Sequence, residues 1–419
     1  MKSPASRASS SVLLNATALR LAERVQQANA LHKAGALSEA EEAYLGVLAV
    51  DPVNADALHF LGVLRARQER FEEAIALVRR ALEQAPAYVD AWNSLGNLHK
   101  IRDELPEARR CYEQVLARAP RHAEAWHNMA LVLQSMGELD KAAQCFRALL
   151  MVDPSSHGTR RNLGALFYMQ NRRDDAAVVY REWLEMEPKS AIARHLLAAC
   201  GGEAMPLRAS DEYVRETFDR FAASFDTVLV ERLDYVAPQR LVDALLPHLG
   251  PPARSLEILD AGCGTGLCGP LLREHARELV GVDLSNSMIQ RASDRGYDRL
   301  EVAELSGFLA GHRNTWDLVV SADTLVYFGD LRAVLVCAAQ SLRPGGLVGF
   351  TLEAMPEDEN LVRLTPSGRY QHSRRHIEHA LAIAGLVAIS WKQEALRKEM
   401  EAFVMGWVVV ARRRDAAIA

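Results

Sequence analysis

The sequence lacks a long hydrophobic run, since no segment approaches the roughly 18 consecutive apolar residues that a membrane-spanning helix requires. Residues 1–11 are polar and rich in serine, and they contain no apolar core of the kind that a signal peptide carries. We therefore expect a soluble cytoplasmic protein without a membrane partner.

An excess of positive charge is missing as well. The formal net charge is −5 and the isoelectric point is close to 6.3, which argues against a nucleic-acid partner held by bulk charge. The six cysteines show no pairing typical of a metal site, and Cys263 and Cys268 stand five residues apart in one glycine-rich turn. We expect reduced thiols and no bound metal.

Proline, by contrast, recurs at a fixed interval in the first half of the chain. Five prolines follow one another at steps of 34 residues, and five alanines and several Leu-Gly pairs keep that step. They are Pro52, Pro86, Pro120, Pro154 and Pro188, with Ala40, Ala74, Ala108, Ala142 and Ala176, and with Leu61-Gly62, Leu95-Gly96 and Leu163-Gly164. This pattern resembles the tetratricopeptide (TPR) repeat, in which small residues let two antiparallel helices approach and a proline ends the second helix.

The repeats divide the chain, whose 419 residues are enough for two or three domains. We expect a flexible segment at 1–20 and an all-α TPR solenoid at 21–190. Its five repeats are 21–54, 55–88, 89–122, 123–156 and 157–190. A capping helix and linker follow at 191–210, where Cys200-Gly201-Gly202 and Pro206 interrupt the helical pattern. Residues 211–419 form a second domain.

A TPR array presents a concave groove lined by the first helix of each repeat. Asn93 and Asn97 lie one turn apart on such a helix, and Asn128 follows in the next repeat. Because an asparagine amide both donates and accepts, these residues suit a bound peptide backbone. The alternative is that they are solvated or make polar contacts between repeats. The array thus predicts a protein or peptide partner or a homodimer.

From residue 211 the 34-residue step disappears, and strand-like segments alternate with helical ones. The strand-like segments are 256–260, 279–283, 299–302, 316–321, 346–352, 386–391 and 403–411. The helical ones are 213–225, 238–249, 267–277, 285–295, 331–342 and 375–384. Such alternation predicts a mostly parallel sheet covered on both faces, and the last two strands should pair antiparallel because no helix separates them.

Residues 260–266 (Asp-Ala-Gly-Cys-Gly-Thr-Gly) join the first of these strands to a helix. Their glycines permit positive φ and bring the backbone close to a nucleotide-like ligand. The stretch resembles motif I of the class I S-adenosylmethionine (SAM) dependent methyltransferases, and residues 342–346 (Leu-Arg-Pro-Gly-Gly) are similar to a later motif of that family. The resemblance implies a Rossmann-like α/β domain with a seven-stranded sheet, one strand of it antiparallel. It also implies SAM as cofactor and S-adenosylhomocysteine (SAH) as product.

The same resemblance implies a site at the carboxyl ends of the strands. The residues assigned to the cofactor are Asp260, Gly262, Cys263, Gly264, Gly266, Asp283, Leu284, Met288, Glu304, Leu305, Ser321 and Asp323. Asp283 suits the two ribose hydroxyls, Glu304 the adenine amine and Met288 an adenine face. Asp260 suits the ammonium group, and Asp323 follows the fourth strand near the reacting methyl. Ser285 is expected to cap the next helix.

Residues 264–269 (Gly-Thr-Gly-Leu-Cys-Gly) also fit the G-x-G-x-x-G pattern, with Asp283 as the ribose carboxylate of an NAD site. The register of the glycines from the strand end, the Pro-Gly-Gly turn and the terminal hairpin favour SAM over NAD.

On the acceptor side, segments 218–226 and 368–373 are similar to a bacterial group of methyltransferases with TPR repeats. His372 is the candidate general base, with Tyr370 and Tyr327, all expected in loops at the rim of the sheet. An ordinary loop histidine is the alternative. Three phenylalanines at helical spacing are either a lid or core, and Tyr213 is a candidate near the methionine carboxylate. The three are Phe218, Phe221 and Phe225.

Methyltransferases that act on amino groups of nucleic-acid bases or of glutamine tend to carry Asn-Pro-Pro-Tyr after the fourth strand. Here residues 321–324 are Ser-Ala-Asp-Thr, which argues against methylation of a base or an amide. The sequence thus predicts a SAM-dependent methyltransferase with an undefined small-molecule or protein acceptor, to which the array recruits a partner. Two alternatives stand: a TPR scaffold that binds SAM without turnover, and an NAD-dependent Rossmann enzyme.

Overall fold

The structure is a computed structural model that describes residues 4–222, 225–226, 233–355, 361–399 and 402–414, with side chains described from residue 19 onward except at 399. The chain divides into two compact units, Met1–Leu166 and Phe167–Ala419. Among the described residues, no helix is both long enough and apolar enough to cross a membrane.

Paired helices make up the first unit. Their bounds are α1 Pro4–Lys33, α2 Leu37–Val50, α3 Ala55–Arg67, α4 Phe71–Gln84, α5 Val89–Ile101, α6 Leu105–Arg118, α7 Ala123–Ser135, α8 Leu139–Val152 and α9 His157–Met169, the last of which continues past the end of the unit. The backbone of residues 4–20 is helical within α1, where the sequence predicts a flexible segment. Alanine and leucine favour a helix there, and Pro4 stands at the first position, where no N–H is needed.

The structure confirms the TPR prediction in its helix ends and its close contacts. Pro52 and Pro86 stand two residues beyond the last residues of α2 and α4. A Cβ atom on Gly62 would lie 2.7 Å from Val78 Cγ2, and one on Gly96 would lie 2.7 Å from Tyr112 Cε1. The paired helices therefore depend on the absence of a side chain at these positions.

A left-handed residue recurs between the two helices of each repeat. Its φ is between 58° and 82° at five positions that are 34 residues apart, namely Gly35, Glu69, Asp103, Gly137 and Asn171. Sequence reasoning did not find this position because three of the five residues are not glycine. The packing of the two helices imposes the left-handed conformation at this position. Glycine, which adopts it without strain, occurs at only two of the five positions.

Polar side chains connect neighbouring repeats. Asn97 Oδ1 accepts hydrogen bonds from Tyr112 Oη at 2.7 Å and from Asn128 Nδ2 at 3.0 Å. Lys100 donates to Asn128 Oδ1 at 2.6 Å. Asn97 and Asn128 thus make contacts between repeats, as one of the two interpretations holds, whereas Asn93 Oδ1 is buried without a hydrogen-bond partner among the described residues.

The second unit is an α/β domain that also includes the helices before it. The helices are α10 Arg173–Met186, α11 Ala191–Ala199, α12 Asp211–Phe221, α13 Ala237–Leu249, α14 Gly269–Leu272, α15 Asn286–Ala292, α16 Leu305–Gly311, α17 Arg332–Ser341 and α18 Arg374–Ala384. The strands are β1 Leu256–Ala261, β2 Ala276–Asp283, β3 Arg299–Val302, β4 Trp316–Ser321, β5 Leu342–Ala354, β6 Val362–Leu364, β7 Tyr370–His372, β8 Leu386–Glu399 and β9 Ala402–Arg413. The sequence assigns α10 to the last repeat and α11 to the capping helix, and both fall in this compact unit.

The sheet has the order β3-β2-β1-β4-β5, and β9 pairs antiparallel with both β5 and β8. The antiparallel terminal hairpin is therefore confirmed. A short β6–β7 hairpin makes nine strands among the described residues, where seven were predicted. Glu353 pairs with Gln371 of β7 and with Gly406 of β9. The last residues of β5 thus pair with β7 on the side where its earlier residues pair with β4.

One helix is much shorter than predicted. The pattern at 267–277 predicts a full helix, yet α14 has four residues and β2 already begins at Ala276, which pairs with Leu256. Ala276, Leu279 and Val280 are fully buried in the sheet. Strand β2 therefore begins three residues before the predicted strand, and it takes Ala276 from the end of the predicted helix, whereas Leu271 and Leu272 remain in α14. A short apolar run does not by itself distinguish a helix from a buried strand.

The core of the unit lies between α13 and the sheet. Leu241 and Leu245 of α13 pack with Ile258, Leu318 and Val408, which come from three strands and are fully buried. This packing fixes the strand ends relative to one another, and the site is built on those ends.

Candidate active site

A pocket opens where β1, β2 and β4 end, and it encloses about 1010 Å³ of empty space, mouth included. Nine of the twelve residues predicted to bind the cofactor line it. They are Asp260, Gly262, Cys263, Gly264, Asp283, Leu284, Glu304, Leu305 and Asp323.

Asp283, at the end of β2, is fixed by backbone amides. Its Oδ2 accepts from Gly264 N at 3.0 Å and its Oδ1 from Ser285 N at 2.8 Å. Burial raises the pKa of Asp283, and the amide hydrogen bonds oppose that rise. Because a carboxylate oxygen accepts more than one hydrogen bond, both oxygens retain capacity for a ligand's hydroxyl groups.

Asp260, the carboxylate near the end of β1, is almost fully buried. Tyr297 donates to its Oδ2 at 2.6 Å, while Oδ1 has no hydrogen-bond partner among the described residues. Burial raises the pKa of Asp260 to about 7, the Tyr297 hydrogen bond opposes the rise, and nearby Asp283 adds to it. A buried carboxylate oxygen without a partner suits a ligand that carries a donor or a positive charge.

Glu304 lies at the pocket and also caps a helix. Its Oε1 accepts from Ser306 N at 3.0 Å and its Oε2 from Gly307 N at 2.8 Å, at the start of α16. Burial raises the pKa of this carboxyl, but the Gly307 and Ser306 amides and Arg208 lower it by more, so the net shift is downward. The carboxylate therefore stays ionised beside the pocket.

Three predicted cofactor residues do not line the pocket. Met288 is fully buried in α15, whose first turn Ser285 caps as predicted, accepting from Met288 N at 3.2 Å. Ser321 donates to Ala261 O at 2.9 Å and is buried between strands. Gly266 provides close packing instead, because a Cβ there would lie 2.9 Å from Tyr297 Cε2.

Of the three catalytic candidates, one lines the pocket and two do not. Tyr327 lines the pocket from a short 3-10 helix, Leu325–Tyr327. His372 and Tyr370 lie in strand β7 rather than in rim loops, fully buried and outside the lining. His372 Nε2 donates to Phe328 O at 2.9 Å, and burial first, then His376, lowers its pKa to about 3. The structure does not bring the predicted general base to the pocket.

A buried charge cluster occupies the end of the pocket beyond β4 and β5. Asp323 has a positive φ of 56°, and its N–H donates to Thr351 Oγ1 at 2.8 Å. Its Oδ2 lies 3.6 Å from Arg369 Nη2 and 3.5 Å from Arg397 Nη1, and its Oδ1 has no hydrogen-bond partner among the described residues. Glu353 pairs with both arginines. Oδ1 is therefore the acceptor atom that this cluster leaves for a ligand.

Comparison with known proteins assigns both parts of the chain. Residues 231–401 match a family model described as a methyltransferase domain, and residues 25–89 and 102–165 match tetratricopeptide repeat models. The chain carries a methyltransferase domain and TPR repeats.

The methyltransferase domain is similar to curated O-methyltransferases. A ubiquinone biosynthesis O-methyltransferase of Chelativorans sp. (strain BNC1) is 31% identical over 159 residues, 34% of this chain and 62% of that protein. The malonyl-[acyl-carrier protein] O-methyltransferase of Salmonella typhimurium is 35% identical over 114 residues, 27% of this chain and 45% of that protein. The chain therefore spans less than two thirds of the length of either relative.

A solved SAM-dependent methyltransferase from Mesorhizobium loti is 25% identical, with a TM-score of 0.34, and the match covers 41% of this chain and 100% of that one. No group of three or more His, Cys, Asp or Glu able to hold a metal ion occurs in the part of the chain that the structure describes.

Aromatic residues of the predicted lid cover part of the methyltransferase pocket. Phe218 and Phe225 line it, and Phe221 packs on Phe225 with ring centroids 5.3 Å apart. Asp219 accepts from Ser285 Oγ at 2.5 Å, and Asp226 accepts from Thr265 Oγ1 at 2.6 Å. The segment that carries these phenylalanines is thus tied to the glycine turn and to the end of β2. Residues 223–224 of the predicted segment lie outside the described residues.

Sequence reasoning missed a wall of the pocket that comes from the predicted linker. Arg208 and Ala209 line the pocket. The backbone of Arg208 forms an isolated antiparallel β-bridge with that of Phe328, and Ala209 N donates to Tyr327 O at 2.8 Å. Arg369 was missed too, although it lies within the segment that resembles the TPR methyltransferases. No local signal places these residues at the pocket, because the contacts with Phe328 and Asp323 that bring them there join segments more than 40 residues apart in the chain.

Proposed function

We propose that the methyltransferase domain binds SAM in this pocket and transfers its methyl group to a small-molecule or protein acceptor. The observation that carries the proposal is Asp283, whose carboxylate is fixed by two backbone amides at the end of β2. The fit of SAM is supported by the buried Oδ1 of Asp260, which has no hydrogen-bond partner among the described residues.

When bound, SAM supplies a methyl group on a sulfonium, ready for displacement by an acceptor atom. Asp283 would hold the ribose hydroxyls, Asp260 the ammonium group, and Leu284 and Leu305 the adenine. Phe218 and Phe225 would exclude water from the reacting atoms. These roles consist of positioning and desolvation, which are the main demands of a displacement of this kind.

Asp323 replaces His372 as our candidate for receiving the acceptor's proton. It lines the pocket, its side chain is 8% exposed, and Oδ1 has no hydrogen-bond partner among the described residues. Arg369 and Arg397 lie near the other carboxylate oxygen, and they would keep the carboxylate oriented. An oxygen acceptor is favoured by the two curated relatives, both named as O-methyltransferases.

The TPR repeats would recruit or orient a protein or peptide, or hold a dimer. Malonyl-[acyl-carrier protein] O-methyltransferase is named for an acceptor carried on a protein, which supports a protein-borne acceptor here. The helices of the array bury their own alanines and aromatic residues, so a partner would bind by the polar positions that remain.

Calorimetric titration of SAM, SAH and NAD into the full-length chain tests the cofactor. We expect micromolar binding of SAM and SAH and none of NAD. Binding of NAD alone would favour the Rossmann dehydrogenase alternative and contradict the proposal.

Labelled SAM added to cell extract then tests turnover, with Asp323→Asn as the matched control. Label transferred by the natural chain and lost in the variant is the expected result. Tight SAH binding without any transfer would favour the scaffold alternative.

A further inference from the structure

A histidine from the predicted capping helix reaches the methyltransferase domain. His195 of α11 is 5% exposed, and its Nε2 lies 2.9 Å from Gly368 O, to which it donates. Its ring lies on that of Tyr213 of α12, with centroids 4.0 Å apart and an interplanar angle of 33°. The histidine thus contacts two segments that are more than 150 residues apart in sequence.

The three residues fit together closely. Gly368 has a φ of +80°, and a Cβ atom there would lie 1.8 Å from Tyr213 Oη and 3.5 Å from His195 Cδ2. The Tyr213 hydroxyl therefore rests on the backbone of Gly368. We refer to His195, Tyr213 and Gly368 as the α11 junction.

Both partners of His195 are next to residues that line the pocket. Tyr213 precedes Val214 on α12, and Phe218 lies on the same helix; both line the pocket. Gly368 precedes Arg369, whose Nε donates to Tyr327 Oη at 3.2 Å. A shift of the junction would therefore move the lid helix and the arginine of the charge cluster together.

The contacts around the junction fix α11 to the sheet. Ala198 and Ala199 pack with Leu364 of β6 and Tyr370 of β7. Tyr370 donates to Pro206 O at 2.9 Å, just before the pocket wall at Arg208. These contacts give buried Tyr370 a packing role in place of the catalytic one predicted for it.

We propose that His195 is a positioning residue of the methyltransferase pocket. Its N–H holds the turn before Arg369 and its ring supports the lid helix α12, so the helix that ends the repeat pattern shapes the cofactor site. Burial lowers the pKa of His195, so the ring is neutral near pH 7 and donates a single N–H from Nε2. The proposal rests on the proposed function only in that it takes SAH as the ligand that reports on the pocket.

The experiment is calorimetric titration of SAH into the full-length chain and its His195→Ala variant. Loss of the hydrogen bond and of the ring contact is expected to weaken SAH binding about tenfold, or about 1.4 kcal/mol. Hydrogen exchange provides a second readout that needs no ligand: the amides of α12 and of residues 362–372 should exchange faster in the variant. His195→Gln keeps an N–H donor and should restore most of the affinity.

The matched control is His59→Ala in α3 of the first unit, no described residue of which lines the pocket. His59 is 3% exposed and is likewise hydrogen-bonded, to Tyr88 Oη at 3.1 Å and Ser94 Oγ at 2.9 Å. We expect this variant to lose stability while its SAH affinity stays within about twofold of the natural chain.

An unchanged SAH affinity in a folded His195→Ala variant, or an equal loss in His59→Ala, would overturn the proposal. If the alanine variant does not fold, His195→Phe takes its place; it keeps a ring, loses the donor and should bind SAH about threefold more weakly. If the natural chain does not bind SAH, the proposed function fails, and unchanged hydrogen exchange in α12 would separately overturn the role of His195.

Discussion

The hydroxyl group of Tyr297 donates a hydrogen bond to Asp260 Oδ2 at 2.6 Å. Among the described residues, the buried carboxylate of Asp260 has no other hydrogen-bond partner. The tyrosine precedes β3 and the aspartate belongs to β1, so the contact joins the segment before one strand to another strand of the sheet. Burial outweighs it, since the pKa of Asp260 is raised to about 7.

The raised pKa predicts that Asp260 destabilises the ligand-free protein at alkaline pH. Between the ordinary pKa of 3.8 and about 7, the folded state binds more protons than the unfolded state, so stability falls as pH rises. The slope is at most about 1.4 kcal/mol per pH unit. Asp260→Asn removes the ionisation, so its melting temperature should exceed that of the natural chain at pH 8, with the gain shrinking towards pH 5.

Asp294→Asn, at an exposed position, is the control and should show no such pH-dependent gain. A lower melting temperature for Asp260→Asn at pH 8 would contradict the prediction. In the same variant SAH should bind more weakly, because the negative charge proposed to face the ammonium group of the ligand is lost.

Asp283→Ala should weaken SAH binding about a hundredfold. The change removes the carboxylate proposed to accept from the ribose hydroxyls, and a hydrogen bond to a charged acceptor is worth about 1.5–3 kcal/mol. It also leaves the Gly264 and Ser285 amides without their acceptor. Calorimetry against Asp294→Ala, an exposed aspartate, measures the difference. An affinity equal to that of the natural chain would show that the ribose assignment is wrong.

Substitution of Gly264 and of Gly266 in the glycine turn should affect different properties, ligand affinity for the first and stability for the second. Both have positive φ, +55° at Gly264 and +88° at Gly266, so alanine at either costs about 1–2 kcal/mol of strain. A Cβ on Gly266 would also press on Tyr297, Arg295 and Ala292, whereas one on Gly264, in the pocket lining, meets nothing within 4 Å. Gly266→Ala should therefore lower the melting temperature more, and Gly264→Ala should weaken SAH binding more; the reverse pattern would contradict these roles.

Asn97→Ala should destabilise the TPR helices. It removes the acceptor of Tyr112 Oη, which is buried, and the contact to Asn128, at a cost of about 1–3 kcal/mol. Asn93→Ala, one turn away on α5, is the matched control, because Asn93 Oδ1 has no hydrogen-bond partner among the described residues. Thermal unfolding followed by circular dichroism should show the larger fall in melting temperature for Asn97→Ala. An equal fall in both variants would be evidence against a stabilising role of the hydrogen bonds between repeats.

Much of the site was predictable because it depends on short segments. Asp260 and Asp283 stand at the ends of β1 and β2, and Gly264 follows β1 by three residues. A strand end followed by glycines can be recognised from its local spacing. His372 shows the limit of such reasoning: a histidine in a polar segment looks exposed, and only the pairing of β7 with β5 and β6 buries it. Met288 and Ser321 likewise lie buried outside the pocket lining, and their burial depends on what packs against them in the fold.

The sequence by itself determined the repeats and the alternation of strands and helices in the second domain, because the 34-residue period and the strand and helix patterns are set by local spacing and composition. Only the tertiary structure decided that Arg208 and Arg369 belong to the pocket and that α11 is part of the methyltransferase unit. His195 and Gly368 are 173 residues apart, and their hydrogen bond requires every intervening element to be in place. Contacts of that range follow from how the faces of the helices and the sheet pack together, which the residues in any short window do not specify.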